Sequence, residues 1–418
     1  MRRILLLLFI SVVSCNKNDL DQKLNVNDQN SLSIDITIAS LAAKNFSKTE
    51  MFNSRSDIKD NQIRKSELLQ EKEIQSILPH VDENGNTSFY VVNFEGGGFV
   101  IISSTKASIP ILAYDNVNSF RLDNQNDNIE SWITFAETQM NDIISNQLNS
   151  TDELLYEWNM LLGAPPGTDP GEGGGVLPQP TNDCESTTES VLPLLTTRWS
   201  QFYPFNKYMP ELICEDNLSI TLYKGHAHAG CVPVAVAMIF NYFQHPSNYL
   251  WEYMADEYGN DFNAKLISDI WDKIPNPYNE IDYKSIDCEN GTIVQVNPLV
   301  FKELFSSFNY KAVTYSAYNE NYIIQNLKNA KPVLMGGEDL INKSGHAWIV
   351  DGFKRIKQCM YDTYGNYTST YYGNVYFHMN WGYGQYKYDG YYIYGNFTSD
   401  GGKTVYNENL KILYNIIK

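Results

Sequence analysis

Residues 225–243 read Gly-His-Ala-His-Ala-Gly-Cys-Val-Pro-Val-Ala-Val-Ala-Met-Ile-Phe-Asn-Tyr-Phe. The apolar, alanine-rich run that begins at Cys231 has helical spacing, and Pro233 is accommodated in the first turn of a helix. The stretch therefore predicts a helix from Cys231 to about Phe243, with the thiol at its N-terminus. The helix macrodipole and the N–H groups of the first turn favour an anion, which would make the thiol a thiolate nucleophile. A buried, inert cysteine at a helix start is the alternative.

The chain beyond this helix continues with further helical patterns and then with strands. Helical spacing recurs at 261–273, 297–307 and 319–328, and β-branched or aromatic runs predict strands at 332–335, 346–351, 374–381, 390–394 and 411–414. Two tyrosine-rich tracts, at 361–376 and 383–394, are interpreted as solvated strand faces or hairpins. A helix that carries a cysteine, followed by a sheet that carries a histidine, is the α+β layout of papain-like hydrolases.

Other positions offer the groups that cysteine catalysis needs. His346 enters a predicted strand after a glycine-rich loop, where its imidazole can project into a cleft and act as a base. Asn380 and Trp381 end the next strand, where the amide can orient an imidazole and the indole can shield that hydrogen bond from water. Gln201 lies upstream and can join a backbone N–H at the helix start in an oxyanion hole. Taken singly, these residues also fit a core histidine, a plain strand end and a surface glutamine.

A Pro/Gly-rich stretch at 163–180 separates a smaller leader unit from the unit that carries the cysteine. This composition forms neither a helix nor a central strand, so it predicts an exposed linker. Within the leader unit, helices are predicted at 36–46, 67–77 and 128–148, and antiparallel strands at 88–94, 98–103 and 109–114. The leader is therefore expected to be a small α+β unit.

The N-terminus carries the signs of export. Two arginines precede an apolar run from Ile4 to Val13, which is a secretory signal too short to span a bilayer. The run ends at Val-Val-Ser-Cys, which resembles the lipobox of bacterial lipoproteins and predicts lipidation of Cys15. An ordinary signal peptide with a chance cysteine is the alternative.

Composition excludes several classes of partner and cofactor. The 418 residues carry a formal net charge of −18, which argues against nucleic acid and anionic membrane surfaces as partners. Of the six cysteines, five remain when Cys15 is set aside, and an odd number permits a reactive thiol. His226 and His228 stand close to Cys231, but no carboxylate or second cysteine has usable spacing to complete a metal site. Neither a metal nor a cofactor is expected.

Five motifs in a fixed order carry a resemblance to a known family. They are Trp-Ser-Gln-x-x-Pro-Phe-Asn at 199–206, Gly-Cys-Val-Pro-Val-Ala at 230–235, Pro-Val-Leu-x-Gly-Gly at 332–337, Gly-His-Ala-x-x-x-Asp-Gly at 345–352 and His-x-Asn-Trp-Gly at 378–382. Together they resemble the streptopain family of secreted bacterial cysteine proteases, in a form like that of Bacteroidota lipoproteins. The leader resembles the propeptide of that family at 90–103 and 109–114.

The resemblance implies a role for each matched residue. Cys231 matches the nucleophile and His346 the general base and acid of a Cys–His dyad. Gln201 matches the oxyanion glutamine, and Asn380 with Trp381 matches the pair beside the histidine, as orienting and shielding groups. The same comparison assigns to Gly345 the place of a glycine that lines the substrate cleft.

The implied organisation has five parts. They are a lipoprotein signal peptide at 1–15, a tether at 16–34, an inhibitory propeptide domain at 35–160, a linker at 161–184 and a papain-like peptidase domain at 185–418. Cleavage within or near Gly163–Leu195 would activate the precursor.

The expected protein is a monomeric, exported cysteine endopeptidase that acts on proteins or peptides through a thioester acyl-enzyme. Its propeptide inhibits it, and only its N-terminal lipid holds it to a membrane, the outer membrane, from which the mature enzyme can be released. Two alternatives stay open on the residues alone. One is a catalytically silent papain-like binding or inhibitory module, and the other is an amidase or transpeptidase that uses the same dyad.

Overall fold

The computed structural model describes residues 32–53, 71–122, 127–163, 187–214, 223–275, 284–288, 291–294, 298–338, 345–361, 367–384, 388–394 and 410–418. Cys15, the predicted signal peptide and most of the predicted linker lie outside these residues. Within the described ranges, no helix combines the length and apolar character that crossing a membrane requires.

The described helices and strands follow the predicted order, with additions. The helices are α1 (Ile36–Ser47), α2 (Glu50–Asn53), α3 (Asp127–Ser145), α4 (Asp152–Leu162), α5 (Cys231–Phe243), α6 (Asp261–Lys273), α7 (Pro298–Ser307) and α8 (Glu320–Lys328). The strands are β1 (Ile74–Val81), β2 (Thr87–Phe94), β3 (Phe99–Ser103), β4 (Ile111–Asp115), β5 (Thr187–Val191), β6 (Lys284–Asp287), β7 (Gly291–Val294), β8 (Ala312–Ala317), β9 (Val333–Glu338), β10 (Gly345–Tyr361), β11 (Tyr367–Tyr372), β12 (Tyr376–Asn380), β13 (Gly390–Tyr392) and β14 (Lys411–Ile417). The helix predicted from Cys231 is α5, and the α+β class is confirmed.

Twelve of the described strands form a single sheet, and β6 and β7 form a separate hairpin. The order across the sheet is β1-β2-β3-β4-β13-β12-β10-β9-β14-β8, with β5 and β11 also paired to the long strand β10. The leader unit joins the larger unit where β4 pairs antiparallel with β13, placing Tyr114 opposite Tyr391. The strands of the two units therefore form one continuous hydrogen-bonded sheet.

Strand β10 lies between two apolar clusters. Ala347 and Ile349 belong to the cluster that contains α5, whereas Trp348 and Val350 belong to the cluster that continues into the leader unit. This division follows from the alternation of side chains along a strand. Helix α5 packs on β10 and on α6, and its residues Val232–Phe240 are all buried, which explains why the sequence is apolar on every side of this helix.

The junction between the two units is closely packed and has several side-chain hydrogen bonds. Trp132 Nε1 donates to the carbonyl of Ile393 at 3.2 Å, and Asn118 Nδ2 donates to the carbonyl of Asp389 at 3.0 Å. Gly390 allows this close approach, because a Cβ there would lie 3.0 Å from both Asp115 Cβ and the Tyr114 carbonyl oxygen. The leader is therefore docked against the strand that follows Asp389.

One expectation about the sheet is wrong, and a second is wrong in part. The helix predicted at 67–77 is contradicted where it is described, because residues 74–81 form β1, which pairs with β2 and places Ile77 opposite Val92. Pairing with a buried neighbouring strand decides the conformation here, against the local helical spacing. The part of that prediction at 67–70 lies outside the described residues.

The tyrosine-rich tracts were expected to be solvated strand faces or hairpins. In the first tract, β11 pairs antiparallel with β10 and Tyr372 is exposed, as expected, whereas most described tyrosines of the second tract are buried. The rings of Tyr376, Tyr388, Tyr391, Tyr392 and Tyr394 all contribute to the shared core. Tyr114 of the leader stacks on Tyr391, with ring centroids 5.2 Å apart. The leader unit covers these tyrosines, although their mixed polar and aromatic sequence pattern is typical of a partly solvated surface.

Disulfides account for the described cysteines other than Cys231. Cys214 and Cys288 are bonded to each other, with a Cα–Cα distance of 5.6 Å, and Cys359 is also disulfide-bonded. Cys231 is the described cysteine that keeps its thiol. The odd cysteine count noted in the sequence is thus consistent with a single reactive thiol among the described residues.

Candidate active site

Cys231 is the first residue of α5 and is half-buried. The residue before it, Gly230, has φ 82° and supplies no side-chain cap to the helix. A positive φ favours glycine, and the N–H groups of a helix's first turn have no partner within the helix itself. The helix start therefore combines a thiol, backbone donors and the positive end of a macrodipole.

Gln201 lies beside the segment that leads to this helix. Its carbonyl oxygen accepts a hydrogen bond of 2.9 Å from the N–H of Ala229, two residues before Cys231. The glutamine side chain is half-buried. A backbone contact that the sequence did not predict thus brings the proposed oxyanion glutamine close to the helix start.

Asn380 and Trp381 form a turn that is fastened to the same region. Asn380 Nδ2 donates to the carbonyl of Thr197 at 2.8 Å, and its Oδ1 accepts from the N–H of Gly382 at 3.2 Å. The N–H of Gly384 donates to the carbonyl of Trp199 at 3.0 Å. The amide of Asn380 therefore ties the turn to the segment before Gln201, and its oxygen keeps a second lone pair.

His346 lies at the start of β10, next to Gly345. It is buried, at 8% exposure, and is paired with Gly337 of β9. Trp348 follows two residues later on β10, and its ring centroid is 5.1 Å from that of Trp381. The sequence did not single out Trp348, which connects the histidine strand to the Asn-Trp turn.

The indole of Trp381 is almost completely buried, at 1% exposure. Its Nε1 donates to the carbonyl of Tyr388 at 3.1 Å, and its backbone N–H donates to Asp389 Oδ1 at 3.0 Å. The ring also packs edge-on against Tyr392, with centroids 5.2 Å apart. Trp381 is therefore held rigidly and forms an apolar wall beside the turn.

The structure brings Gln201, Cys231 and the Asn380–Trp381 turn to one region and places His346 at the end of the strand that packs on α5. This region offers a thiol at a helix start with backbone and amide N–H groups nearby, and β10 carries the imidazole of His346 at its start, beside Gly345. Such a set is suited to acyl transfer from a carbonyl substrate.

Ionisable side chains cluster behind this turn, where the two units meet. His378 Nδ1 lies 2.6 Å from Oδ1 of the buried Asp351; burial opposes the charged ring, but the carboxylates of Asp351, Asp389 and Asp115 raise the pKa of His378. Burial raises the pKa of Asp389 to about 6. Burial also lowers the pKa of Lys354 to about 8, although Asp115 favours its charged form. The sequence motifs contain two of these residues, Asp351 and His378, but gave no signal that the cluster forms.

Asp389→Asn is expected to flatten the pH dependence of the stability of the full chain. The asparagine keeps an oxygen for the Trp381 N–H but does not titrate. The folded-state pKa of Asp389, about 6, lies above the ordinary 3.8, so its stabilising contribution is present at low pH and is lost as the pH rises through that range. Relative to the variant, the wild-type chain should lose up to about 3 kcal/mol of unfolding free energy over this window in urea titrations. If the unfolding free energies of the two proteins change with pH in the same way, the pKa of Asp389 is not raised by burial.

Comparisons with known proteins cover both units. The Peptidase C10 family matches residues 199–286 and 247–392, and the Spi protease inhibitor family matches residues 33–140. No curated protein matches the chain.

Among solved structures, one similar to this chain is a fragment of Prevotella intermedia prointerpain A in which a cysteine is replaced by alanine. It has 17% sequence identity and a TM-score of 0.51, and the match covers 82% of this chain and 99% of the other. A second is the active wild-type Prevotella intermedia interpain A cysteine protease, with 20% identity and a TM-score of 0.35 over 54% of this chain and 94% of the other. The first of these shows that both units of this chain follow the fold of a protease precursor.

The thiol at the start of α5 falls within the range matched by the peptidase family, and the docked leader falls within the range matched by the inhibitor family. Both resemblances predicted from the sequence motifs are confirmed. The chain belongs to the Peptidase C10, or streptopain, family of cysteine proteases and carries a Spi-type inhibitor domain as its propeptide.

Proposed function

We propose that this cysteine protease hydrolyses internal peptide bonds through a dyad of Cys231 and His346. The thiolate of Cys231 attacks the carbonyl carbon of the scissile bond, and the negative charge moves to the carbonyl oxygen. The Cys231 N–H and the Gln201 amide donate hydrogen bonds to that oxyanion. His346 then gives its proton to the leaving amine, which leaves a thioester on Cys231. Water, deprotonated by His346, hydrolyses the thioester and restores the thiol.

Other residues assist in this proposal. Asn380 uses the second lone pair of Oδ1 to orient the imidazole, and Trp381 keeps water away from that bond. Gly345 borders the substrate cleft and lets the substrate backbone approach. The observation that best supports the proposal is the hydrogen bond from the Ala229 N–H to the Gln201 carbonyl, because it holds the main chain of Gln201 beside a residue two positions before the thiol.

The docked leader provides a physical basis for latency. It completes the sheet at β13 and covers Tyr391 and Tyr392, so these residues are core in the precursor. Lys354 Nζ donates to the carbonyl of Met51 at 3.0 Å and lies 4.2 Å from the ring centroid of Tyr391. We infer that the peptidase stays inactive while these contacts persist, because they fix the strand that follows the Asn-Trp turn.

Gly390→Val is expected to release the propeptide more easily. The new side chain would collide with Asp115 and the Tyr114 carbonyl, and such overpacking costs about 1–3 kcal/mol. The full chain should therefore process itself about tenfold faster or more, while the mature enzyme keeps its activity. Processing is followed by gel electrophoresis after dilution into reducing buffer.

The control for this change is Ala317→Val, which also creates a valine but at an exposed position of β8, an edge strand of the sheet. It should leave processing unchanged. If Gly390→Val processes at the wild-type rate, the docking of β4 on β13 does not limit activation.

We further propose that the chain is exported, lipidated at Cys15 and activated by cleavage within or near Gly163–Leu195. Such a cut separates the peptidase domain from the lipid anchor. The test is to incubate the purified precursor at neutral pH with reductant and to sequence the N-terminus of the active product. A new N-terminus in this range is expected in the wild type and not in Cys231→Ala. Active enzyme with an intact linker would refute the activation step.

A further inference from the structure

The chain enters α5 through a short run, residues 226–230, which is called the approach segment below. On one side it is bonded to the preceding loop: the N–H of Ala227 donates to the carbonyl of Pro210 at 2.9 Å, and Ala229 donates to Gln201. These bonds fix one edge of the segment. The position of Cys231 depends on the other edge as well, because the thiol is the next residue along the chain.

The hairpin β6–β7 holds that other edge through one residue. The backbone N–H of Thr292 donates to Nε2 of His228 at 2.7 Å, and Thr292 Oγ1 donates to the carbonyl oxygen of His228 at 2.6 Å. A Cβ on Gly230 would lie 2.9 Å from Thr292 Cγ2. The threonine therefore contacts the approach segment at two residues, the second of which adjoins Cys231.

The hairpin itself is anchored at both ends. Lys284 Nζ donates to the carbonyl of Trp271 at 2.7 Å, at the end of α6, where a cation complements the helix dipole. At the other end, Cys288 is bonded to Cys214, which belongs to the loop on the far side of the approach segment. The segment therefore lies between two strips of chain that a disulfide joins.

We propose that His228 and Thr292 are positioning residues for the nucleophile, and that the Cys214–Cys288 disulfide holds the hairpin against them. This inference rests on the assignment of Cys231 as the nucleophile. His228 acts through its neutral ring, because Nε2 must accept the N–H of Thr292. Its role is to fix the main chain that presents the thiol and the Cys231 N–H, and it does not touch the substrate.

The distinguishing experiment compares two replacements of His228 in the full chain. Phenylalanine keeps a planar ring but has no acceptor, whereas glutamine places an amide oxygen near the position of Nε2. Because small displacements at a reacting centre are costly, His228→Phe should lower kcat about tenfold or more with little change in KM. His228→Gln should keep kcat within roughly threefold of the wild type, since the bond from Thr292 is retained.

Each variant is processed by a trace of wild-type enzyme before the assay, and Cys231→Ala treated in the same way gives the background. Thermal unfolding shows whether each variant is folded. A folded His228→Phe with the kcat of the wild type would overturn the proposal. So would His228→Gln as impaired as His228→Phe, because loss of packing alone would then explain both.

The role of the disulfide is tested with the double variant Cys214→Ser/Cys288→Ser. Its kcat should fall by about threefold or more, and combining it with His228→Phe should add little, since both changes loosen one contact. Fully additive effects would overturn the role of the disulfide. If the wild-type chain shows no peptidase activity that depends on Cys231, the proposed function is wrong. If the wild type is active and replacing His228 does not change kcat, only this inference is wrong.

Discussion

Replacing Cys231 by alanine is expected to lower kcat/KM for peptide hydrolysis by at least about 10⁴-fold, because the acyl-enzyme can no longer form. The change removes one sulfur from a half-buried position and leaves α5 intact. Cleavage of a casein-derived fluorogenic peptide, after processing by a trace of wild-type enzyme, measures the effect. Self-processing of the purified variant should be lost as well.

The control for this change is the serine variant of the same residue. Serine places a hydroxyl where the thiol was, at the helix start, but a hydroxyl ionises far less readily than a thiol. Both variants should unfold at the wild-type temperature and bind the propeptide. An alanine variant that still cleaves the peptide above background would remove Cys231 from the mechanism.

Replacing Gln201 by alanine is expected to lower kcat by about 10²–10³-fold, which is the usual loss when one oxyanion donor is removed. The backbone bond from Ala229 to the Gln201 carbonyl does not involve the side chain, so the approach to α5 should be unchanged. The effect should therefore appear in kcat, with KM altered much less.

Two further glutamine variants sharpen this test. Gln201→Glu keeps the shape of the side chain but replaces the amide donor with a carboxylate, and should be as slow as the alanine variant. Gln325→Ala makes the same truncation on the exposed face of α8 and should have wild-type activity. If Gln201→Glu retains full activity, the side chain of Gln201 does not stabilise the oxyanion.

The local sequence around the nucleophile was sufficient to predict its helix. An apolar run that opens with Cys-Val-Pro has one reasonable conformation, and α5 begins and ends where that pattern does. The ordered motifs then identified the family, and the comparisons confirm it. The catalytic roles of Gln201, His346 and Asn380 stay predictions until the variants are measured.

Contacts between distant segments could not be predicted from the sequence. The run at 74–81 is a strand because β2 pairs with it, and the tyrosines of β13 are buried because β4 covers them. The contact of Thr292 with His228 joins residues 64 positions apart, and it depends on the conformation of a hairpin that no local pattern indicated. Such features arise from tertiary pairing, which local propensity does not encode.

The shared sheet explains why activation is expected to need a large change. Removing the leader turns β13 into an edge strand and exposes aromatic rings that are core in the precursor. We expect the peptidase to reorganise around β13 once the linker is cut. The ionisable cluster of His378, Asp389 and Lys354 lies at this boundary, so the strength of docking is expected to vary with pH.

The central claim is that Cys231 is the nucleophile, and covalent trapping tests it most directly. The processed enzyme is incubated with an epoxide inhibitor of cysteine proteases, digested, and mapped by mass spectrometry. The account predicts one inhibitor molecule per chain, attached to the peptide that contains Cys231, with complete loss of activity. A label on any other residue, or full activity after Cys231 is labelled, would contradict it.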